Sequence, residues 1–348
     1  MVARKSSPLS ARILKWIGYI TAVFSLIAGT YGGWTFFSGQ FKKRHAIDEL
    51  LAAESVRASA GDYASGWKEV EQAASIEPSS AKIQRVQEDL AMQWLENIHL
   101  SGDQTFSGIT EKLEPVLIRG ATSAKSPERQ ADLLAHLGWS YFLRSRESPS
   151  GPDPESAYRD ALQRDPSNPY AHAMWGHLIL WNHGGLTKAN EQFDAALTST
   201  RPVRAYVRTL QIASVMNNQS SEFEEETIRV ANAIRSEHGE LDPHDRGTIL
   251  WIYSVRLVPS NDDTPAFLNA LPPTQHLATF DWLSEGSDTS DSEIPLRSYC
   301  RARLLEAAGH FDEALTGYRT LRAQYPKRYD SAEVLDATVQ AIARLGGK

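Results

Sequence analysis

The chain has 348 residues and a formal net charge of −7, and its charges are divided unevenly. Seven of the 36 Lys and Arg and none of the 43 Asp and Glu lie in residues 1–45, so this region carries +7 and the remainder −14. The acidic remainder is long enough for a sizeable core. It excludes nucleic acid as the main partner, because phosphate binding requires clustered Lys and Arg. A single cysteine, Cys300, excludes an intrachain disulfide.

The first predicted element is a transmembrane helix. Residues 16–37 carry no charged side chain, and a helix of that length spans roughly 33 Å, enough to cross a bilayer core of about 30 Å. Trp16 and Tyr19 lie near one end and Trp34 near the other, as interfacial aromatic residues do. We therefore predict a membrane helix over residues 13–41.

A basic tail, residues 1–12, precedes this helix. Two alternatives stay open for the apolar stretch. One is a cleaved secretory signal, for which Ala28, Gly29 and Thr30 would form a poor cleavage site. The other is a buried helix of a soluble domain, which would rarely carry aromatic residues at both ends and basic residues beyond them.

Small residues recur every four positions in the predicted membrane helix, at Ser25, Gly29 and Gly33. Such faces let two membrane helices pack closely, so we expect weak self-association; frequent glycine in membrane helices is the alternative explanation. Four basic residues before the apolar stretch and three after it leave the orientation nearly balanced. The N-terminal amine and the acids from Asp48 onward favour an N-terminus inside. In a bacterium, this arrangement gives a single-pass inner-membrane protein with its main domain in the periplasm.

The organising feature of the remaining chain is a repeat. Residues 61–78 read GDYASGWKEVEQAASIEP, and residues 309–326 read GHFDEALTGYRTLRAQYP. Both place a Gly, a polar residue and an aromatic residue before small and apolar residues at helical spacing. Both end in Pro, which is typical of a helix with a defined end.

These segments resemble the tetratricopeptide repeat (TPR), a helix-turn-helix unit of about 34 residues. The first-helix pattern of that family, L-x-x-L-G-x-x-Y, is matched by Leu134, Leu137, Gly138 and Tyr141. Further positions of the pattern are matched by Gly61, Tyr63, Ala73, Pro78, Ala161, Pro166, Trp175, Gly176, Ala189, Phe193, Ala196, Pro202, Gly309, Phe311, Ala314, Tyr318 and Pro326. The small residues would let the two helices of a unit approach, and the large ones would fill the space between units.

The resemblance implies an all-α fold in which successive helix pairs stack into a superhelix. We expect such pairs over residues 45–257, and a last TPR-like repeat with a capping helix over residues 295–348. Between them, residues 258–294 are rich in Pro, Ser and acids, which predicts a loop insertion. Its acidic run, residues 284–293, is either a binding tail or, as is more common, a solvated linker.

Catalytic signatures are absent from the sequence, which contains no GxSxG, HExxH, Walker A or Rossmann motif. His172, His177 and His183 are the best metal candidates. Their separations of five and six residues do not place them on one helix face, as the i, i+4 spacing of zinc helices does. We therefore expect no metal, no cofactor and no enzymatic activity. The alternative is an enzyme, or an enzyme subunit, that acts on a cell-envelope substrate from a helical scaffold.

Members of the TPR family generally hold a protein or peptide on the concave surface. The resemblance therefore implies a membrane-tethered scaffold that assembles or regulates an envelope complex. It does not imply the family's clamp for a C-terminal carboxylate, which uses Lys, Arg and Asn at positions five and nine of the first helices. Those positions hold Leu51, Ser55, Ala135, Trp139, Ala173 and His177.

The resemblance also predicts which residues line the groove, since positions two, five, nine and twelve of the first helices face it. These are Asp132, Ala135, Trp139 and Phe142 in one unit, and Tyr170, Ala173, His177 and Leu180 in the next. Trp139 is expected to be an exposed aromatic anchor between two small alanines, with His177 as a polar contact. The alternative is that the turn insertion shifts the helix and buries Trp139 in the core.

Overall fold

The computed structural model describes residues 40–100, 102–149, 151–216, 220–258, 264–285, 294–324 and 332–346. Within these residues every regular element is helical, which confirms the all-α prediction. The chain divides into two compact units, residues 1–120 and 121–348.

The described part of the first unit is built from four helices. They are α1 (residues 40–59), α2 (Tyr63–Ile76), α3 (Ala81–Glu96) and α4 (Phe106–Ser123), the last of which continues for one turn beyond the division. Helices α1 and α2 pack closely at Gly66, where a Cβ would stand in ordinary van der Waals contact with the carbonyl oxygen of Glu54, at 3.5 Å. Trp67 and Trp94 join α2 to α3, with ring centroids 6.2 Å apart. Consecutive helices in this region therefore pack on each other.

The predicted membrane helix, including Ser25, Gly29 and Gly33, lies outside the described residues except for residues 40 and 41, which begin α1. Among the helices that are described, none combines the length and the apolar character needed to span a membrane.

The second unit contains twelve described helices. They are α5 (Pro127–Ser145), α6 (Pro154–Arg164), α7 (Pro169–Trp181), α8 (Leu186–Leu197), α9 (Arg204–Met216), α10 (Ser221–Ser236), α11 (Pro243–Arg256), α12 (Thr264–Leu268), α13 (Pro273–Glu285), α14 (Ile294–Ala307), α15 (Phe311–Gln324) and α16 (Ala332–Gly346). Helix pairs form between α5 and α6, α7 and α8, α9 and α10, and α14 and α15. Neighbouring pairs also stack, since α7 contacts both α5 and α9.

Glycine sets the distance between the two helices of a pair. A Cβ at Gly138 of α5 would lie 2.7 Å from Cε1 of Tyr158 in α6, far inside van der Waals contact. A Cβ at Gly176 of α7 would lie 3.1 Å from Cε2 of Phe193 in α8. Tyr158 and Phe193 are both fully buried. This geometry confirms the packing role predicted for the small residues. Phe193, which was predicted to fill the space between units, instead packs on Gly176 within its own pair.

Local signals fix where the first helices of these pairs begin. The side chains of Ser126 and Asn168 accept hydrogen bonds from the backbone N–H groups of Arg129 and Ala171, in the first turn of each helix. A proline follows each cap, at the first helical position, where its missing N–H costs nothing. Helices α5 and α7 therefore start in a defined register.

The prediction of a loop over residues 258–294 is wrong for most of its length. Helices α12 and α13 lie within it, and α13 buries His276, Phe280 and Leu283. The prolines that indicated a loop are compatible with helix, because Pro273 stands at the start of α13. Residues 286–293, which include most of the acidic run, lie outside the described residues.

Candidate functional site

Helices α5 and α7 lie side by side and carry all the predicted groove residues, and α9 packs against α7. In the structure, the aromatic rings of three of these residues contact one another. The ring centroids of Trp139 and Phe142 are 4.9 Å apart, and each lies about 5 Å from that of His177, at 5.1 and 5.0 Å respectively. Trp181, the last residue of α7, completes the group, 5.4 Å from Phe142 and stacked on His177 at 6.4 Å. We call Trp139, Phe142, His177 and Trp181 the aromatic cluster.

Trp139 does not project into an open groove. Its exposed fraction is 7 %, that of Phe142 is 1 %, and Ala135 and Ala173 are fully buried. The expectation of an exposed anchor at Trp139 is therefore wrong. The reason is that His177 on the neighbouring first helix covers the indole ring, so side chains at equivalent positions of α5 and α7 pack on each other. Leu180 is likewise buried, with 3 % of its surface exposed.

His177 connects the aromatic cluster to α9. Its Nδ1 lies 2.7 Å from Oγ of Ser214, and that hydroxyl donates its proton to the carbonyl oxygen of Leu210, at 2.5 Å. Because a hydroxyl has only one proton to donate, Nδ1 of His177 must carry the hydrogen in this arrangement. Burial, aided by the positive charge of Arg146, lowers the pKa of His177 to about 4. The imidazole is therefore neutral near pH 7.

The other predicted residues belong to a second, charged cluster. Arg201 donates two hydrogen bonds to the carboxylate of Asp132, at 2.7 and 2.8 Å, and its guanidinium lies 5.3 Å from the ring centroid of Tyr170. Asn168, the cap of α7, donates a further hydrogen bond to Asp132 at 2.8 Å. The Asp132 hydrogen bond is the largest contribution to a raised pKa of Arg201. Through Arg201, Asp132 and Tyr170 thus connect α5 and α7 to the segment before α9.

Trp181 is the member of the aromatic cluster that reaches solvent, with an exposed fraction of 44 %. The guanidinium of Arg146, at the end of α5, lies 4.9 Å from its ring centroid. The turn after α7 fixes Trp181 at the rim of the unit. Gly184 donates to the carbonyl oxygen of Ile179 at 2.7 Å, and a Cβ on Gly184 would clash with that oxygen. We call Trp181 and Arg146, together with the rings beneath them, the Trp181 patch.

Sequence reasoning missed Trp181, Arg146 and Arg201. The repeat pattern assigned Leu180 to the groove, whereas the residue that reaches solvent is the next one along the helix, Trp181. Arg201 lies in the turn before α9, and the pattern of helix positions gives no information about turns. Its only signal was the neighbouring Pro202, which marks the end of a repeat.

The three histidines that were considered as metal ligands make different contacts and do not form one site. His172 makes hydrogen bonds with Gln192 and with the carbonyl oxygen of Pro166, and His183 occupies a left-handed turn position with φ of 57°. In the part of the chain that the structure describes, no group of three His, Cys, Asp or Glu side chains could hold a metal ion. The lone thiol, Cys300, is buried, and burial raises its pKa to about 12.

Comparison with known proteins gives little more. No protein-family model matches the chain, and no curated protein matches it. Among solved structures, it is similar to a tetratricopeptide repeat protein from Parabacteroides merdae ATCC 43184, with 13 % identity, a TM-score of 0.39, and coverage of 87 % of this chain and 100 % of that one. A second similar structure is that of Naa15/Naa10 bound to HypK-THB, with 14 % identity, a TM-score of 0.19, and coverage of 85 % and 55 %. Scores this low carry no argument, so the fold assignment rests on the helix packing described above.

Proposed function

We propose that this protein is a membrane-tethered, non-enzymatic scaffold that binds a protein or peptide partner through the Trp181 patch. The observation that carries the proposal is a half-exposed Trp181 that contacts three neighbours, Phe142, Arg146 and His177. Repeats of this kind offer extended surfaces built from successive helices. The fold itself carries no chemistry.

The Trp181 patch has the composition of a binding hot spot. Trp and Arg are the residues most enriched where alanine substitution weakens protein complexes. Contacts with His177 and Phe142, and the Arg146 guanidinium over the ring, hold the indole in one orientation. A side chain that is already ordered loses little conformational entropy when a partner covers it. The buried Trp139 and Phe142 form the platform beneath it.

Tethering is supported by the sequence of the N-terminal region. The uncharged stretch of residues 16–37 has the length of a membrane helix, and basic residues lie on both sides of it. The proposed location is the bacterial inner membrane, with the acidic main domain in the periplasm, where it assembles or regulates an envelope complex. Ser25, Gly29 and Gly33 would allow weak pairing of two such anchors.

The test is affinity capture of the full-length chain from solubilised membranes, followed by quantitative mass spectrometry. Trp181→Ala removes the exposed ring. Trp251→Ala is the matched control, because Trp251 on α11 is also exposed, at 61 %, but is not part of the aromatic cluster. We expect a partner whose recovery falls with the first substitution and not with the second.

A further inference from the structure

The first described turn of α1 carries a dense group of exposed cations. Lys42, Lys43 and Arg44 follow one another and are all exposed, and the side chain of Phe41 before them is 72 % exposed. Four residues, 38–41, separate these cations from the predicted membrane stretch, residues 16–37. At a rise of ~1.5 Å per residue, the three cations occupy only about 3 Å along the helix axis.

Among the described residues, the only acidic side chain found to interact with these three cations is Asp48, whose pKa is lowered mainly by Lys82 and, least of the causes, by the charge of Arg44. The first acids along the chain are Asp48 and Glu49. Asp48 accepts a hydrogen bond from Nζ of Lys82 at 2.8 Å, and Glu49 lies 3.3 Å from Nδ1 of His45. The closest contact of Asp48 is thus with Lys82, and residues 42–44 together carry a charge of +3 within a chain whose net charge is −7.

Helix geometry distributes the three charges around α1. Successive residues of an α-helix are rotated by about 100°, so three consecutive cations surround the helix and do not share a face. A helix that lies along a membrane surface carries its basic residues on one face. A ring of cations suits a helix that passes through the headgroup layer, where phosphates lie on every side. We call residues 42–44 the basic collar.

We propose that the basic collar binds the headgroups of anionic phospholipids where α1 leaves the bilayer. This inference rests on the proposed membrane tether, and it adds the class of lipid that the tether selects. Lys and Arg next to a membrane surface gain binding energy from anionic headgroups. Phe41, one position closer to the apolar stretch, would then lie at the level where interfacial aromatic residues are found.

The experiment is photo-crosslinking of the full-length chain, reconstituted into vesicles of phosphatidylcholine and phosphatidylglycerol. Each lipid is supplied in turn with a photoreactive headgroup, and the yield is measured on residues 40–59. We expect at least fivefold more crosslinking to phosphatidylglycerol, because roughly fivefold is the ratio that about 1 kcal/mol from a single one of the three cations implies. The triple variant Lys42→Gln, Lys43→Gln, Arg44→Gln should lose this preference.

A control variant loses the same charge elsewhere. Arg164, Lys188 and Arg322 are exposed on the second unit, and changing all three to Gln should leave the preference intact. Equal crosslinking to both lipids in the unaltered chain, or a preference that survives loss of the collar, would overturn the proposal. Extraction with alkaline carbonate tests the tether separately. A chain that carbonate releases from the membrane has no anchor, and this result would overturn both the tether and the lipid site. A chain that stays in the membrane but shows no lipid preference would overturn the lipid site alone.

Discussion

At the residue scale, the two tryptophans of the aromatic cluster have different tasks because their burial differs. Trp139 is enclosed by Phe142 and His177, whereas Trp181 lies over the same rings with 44 % of its surface exposed. A buried aromatic side chain contributes to stability through transfer from water and close packing. A half-exposed one keeps surface that a partner can cover.

This difference predicts distinct effects on folding. Trp139→Ala should lower the free energy of unfolding by about 3–5 kcal/mol, the range for a buried aromatic residue replaced by alanine. Trp181→Ala should cost only about 0.5–1.5 kcal/mol, the value of its ring contacts. Denaturant unfolding of the full-length variants in detergent measures both. Equal losses would show that the two rings are buried to the same degree in solution.

The neutral His177 predicts a dependence of stability on pH. Its pKa is about 4 in the fold and ~6.5 when unfolded, so the unfolded chain binds the proton more readily. The stabilisation is complete above about pH 6.5 and is lost as the pH falls towards 4, by about 3 kcal/mol. His177→Asn should remove this part of the acid sensitivity. A variant with the same pH profile as the unaltered chain would contradict the assigned neutral state.

Residues that the repeat pattern identified were predicted well where packing alone decides their position. Gly138 and Gly176 allow the close approach of two helices that the pattern predicted. The exposure of Trp139 was not predictable, because it depends on which side chain of the neighbouring helix covers it. Arg201 was missed for a related reason: its partner Asp132 is 69 residues away along the chain, and pairing at that distance leaves no local signal.

At the scale of the elements, the glycines determine how closely the two helices of a pair approach. Gly138→Ala would place its Cβ 2.7 Å from the Tyr158 ring. It should therefore destabilise the chain by about 1–3 kcal/mol, as overpacking does. Gly247→Ala in α11 is the matched control, because its Cβ would meet no atom within 4 Å. It should stabilise by about 0.5–1 kcal/mol through helix propensity. Thermal unfolding of both variants measures these changes in stability. A stabilising effect of Gly138→Ala would refute close packing of α5 and α6.

The positions of the helices show which local sequence patterns predicted them correctly. Helices α3, α9, α10 and α11 lie within residues 45–257, where the resemblance predicted helices in pairs. Helix α13 was missed because Pro and acidic residues at its borders obscured the buried positions His276, Phe280 and Leu283. Composition alone does not distinguish a loop from a short helix whose first residue is proline.

At the scale of the whole molecule, the proposed arrangement is an anchor followed by an acidic body outside the cytoplasm. It predicts that alkaline phosphatase fused after Lys348 is active in bacterial cells, since that enzyme matures only in the periplasm. A reporter that works only in the cytoplasm should be inactive at the same position. The opposite pattern would reverse the orientation and leave the Trp181 patch facing cytoplasmic partners.

The central claim is that the Trp181 patch binds a partner. The most direct measurement is the recovery of each captured protein with Trp181→Ala, relative to the unaltered chain and to Trp251→Ala. Loss of a hot-spot residue costs at least about 2 kcal/mol, or roughly thirtyfold in affinity. We expect a partner that is lost with Trp181→Ala and retained with Trp251→Ala, although the two variants have similar stability. Recovery of every partner by Trp181→Ala at the level of the control would contradict it.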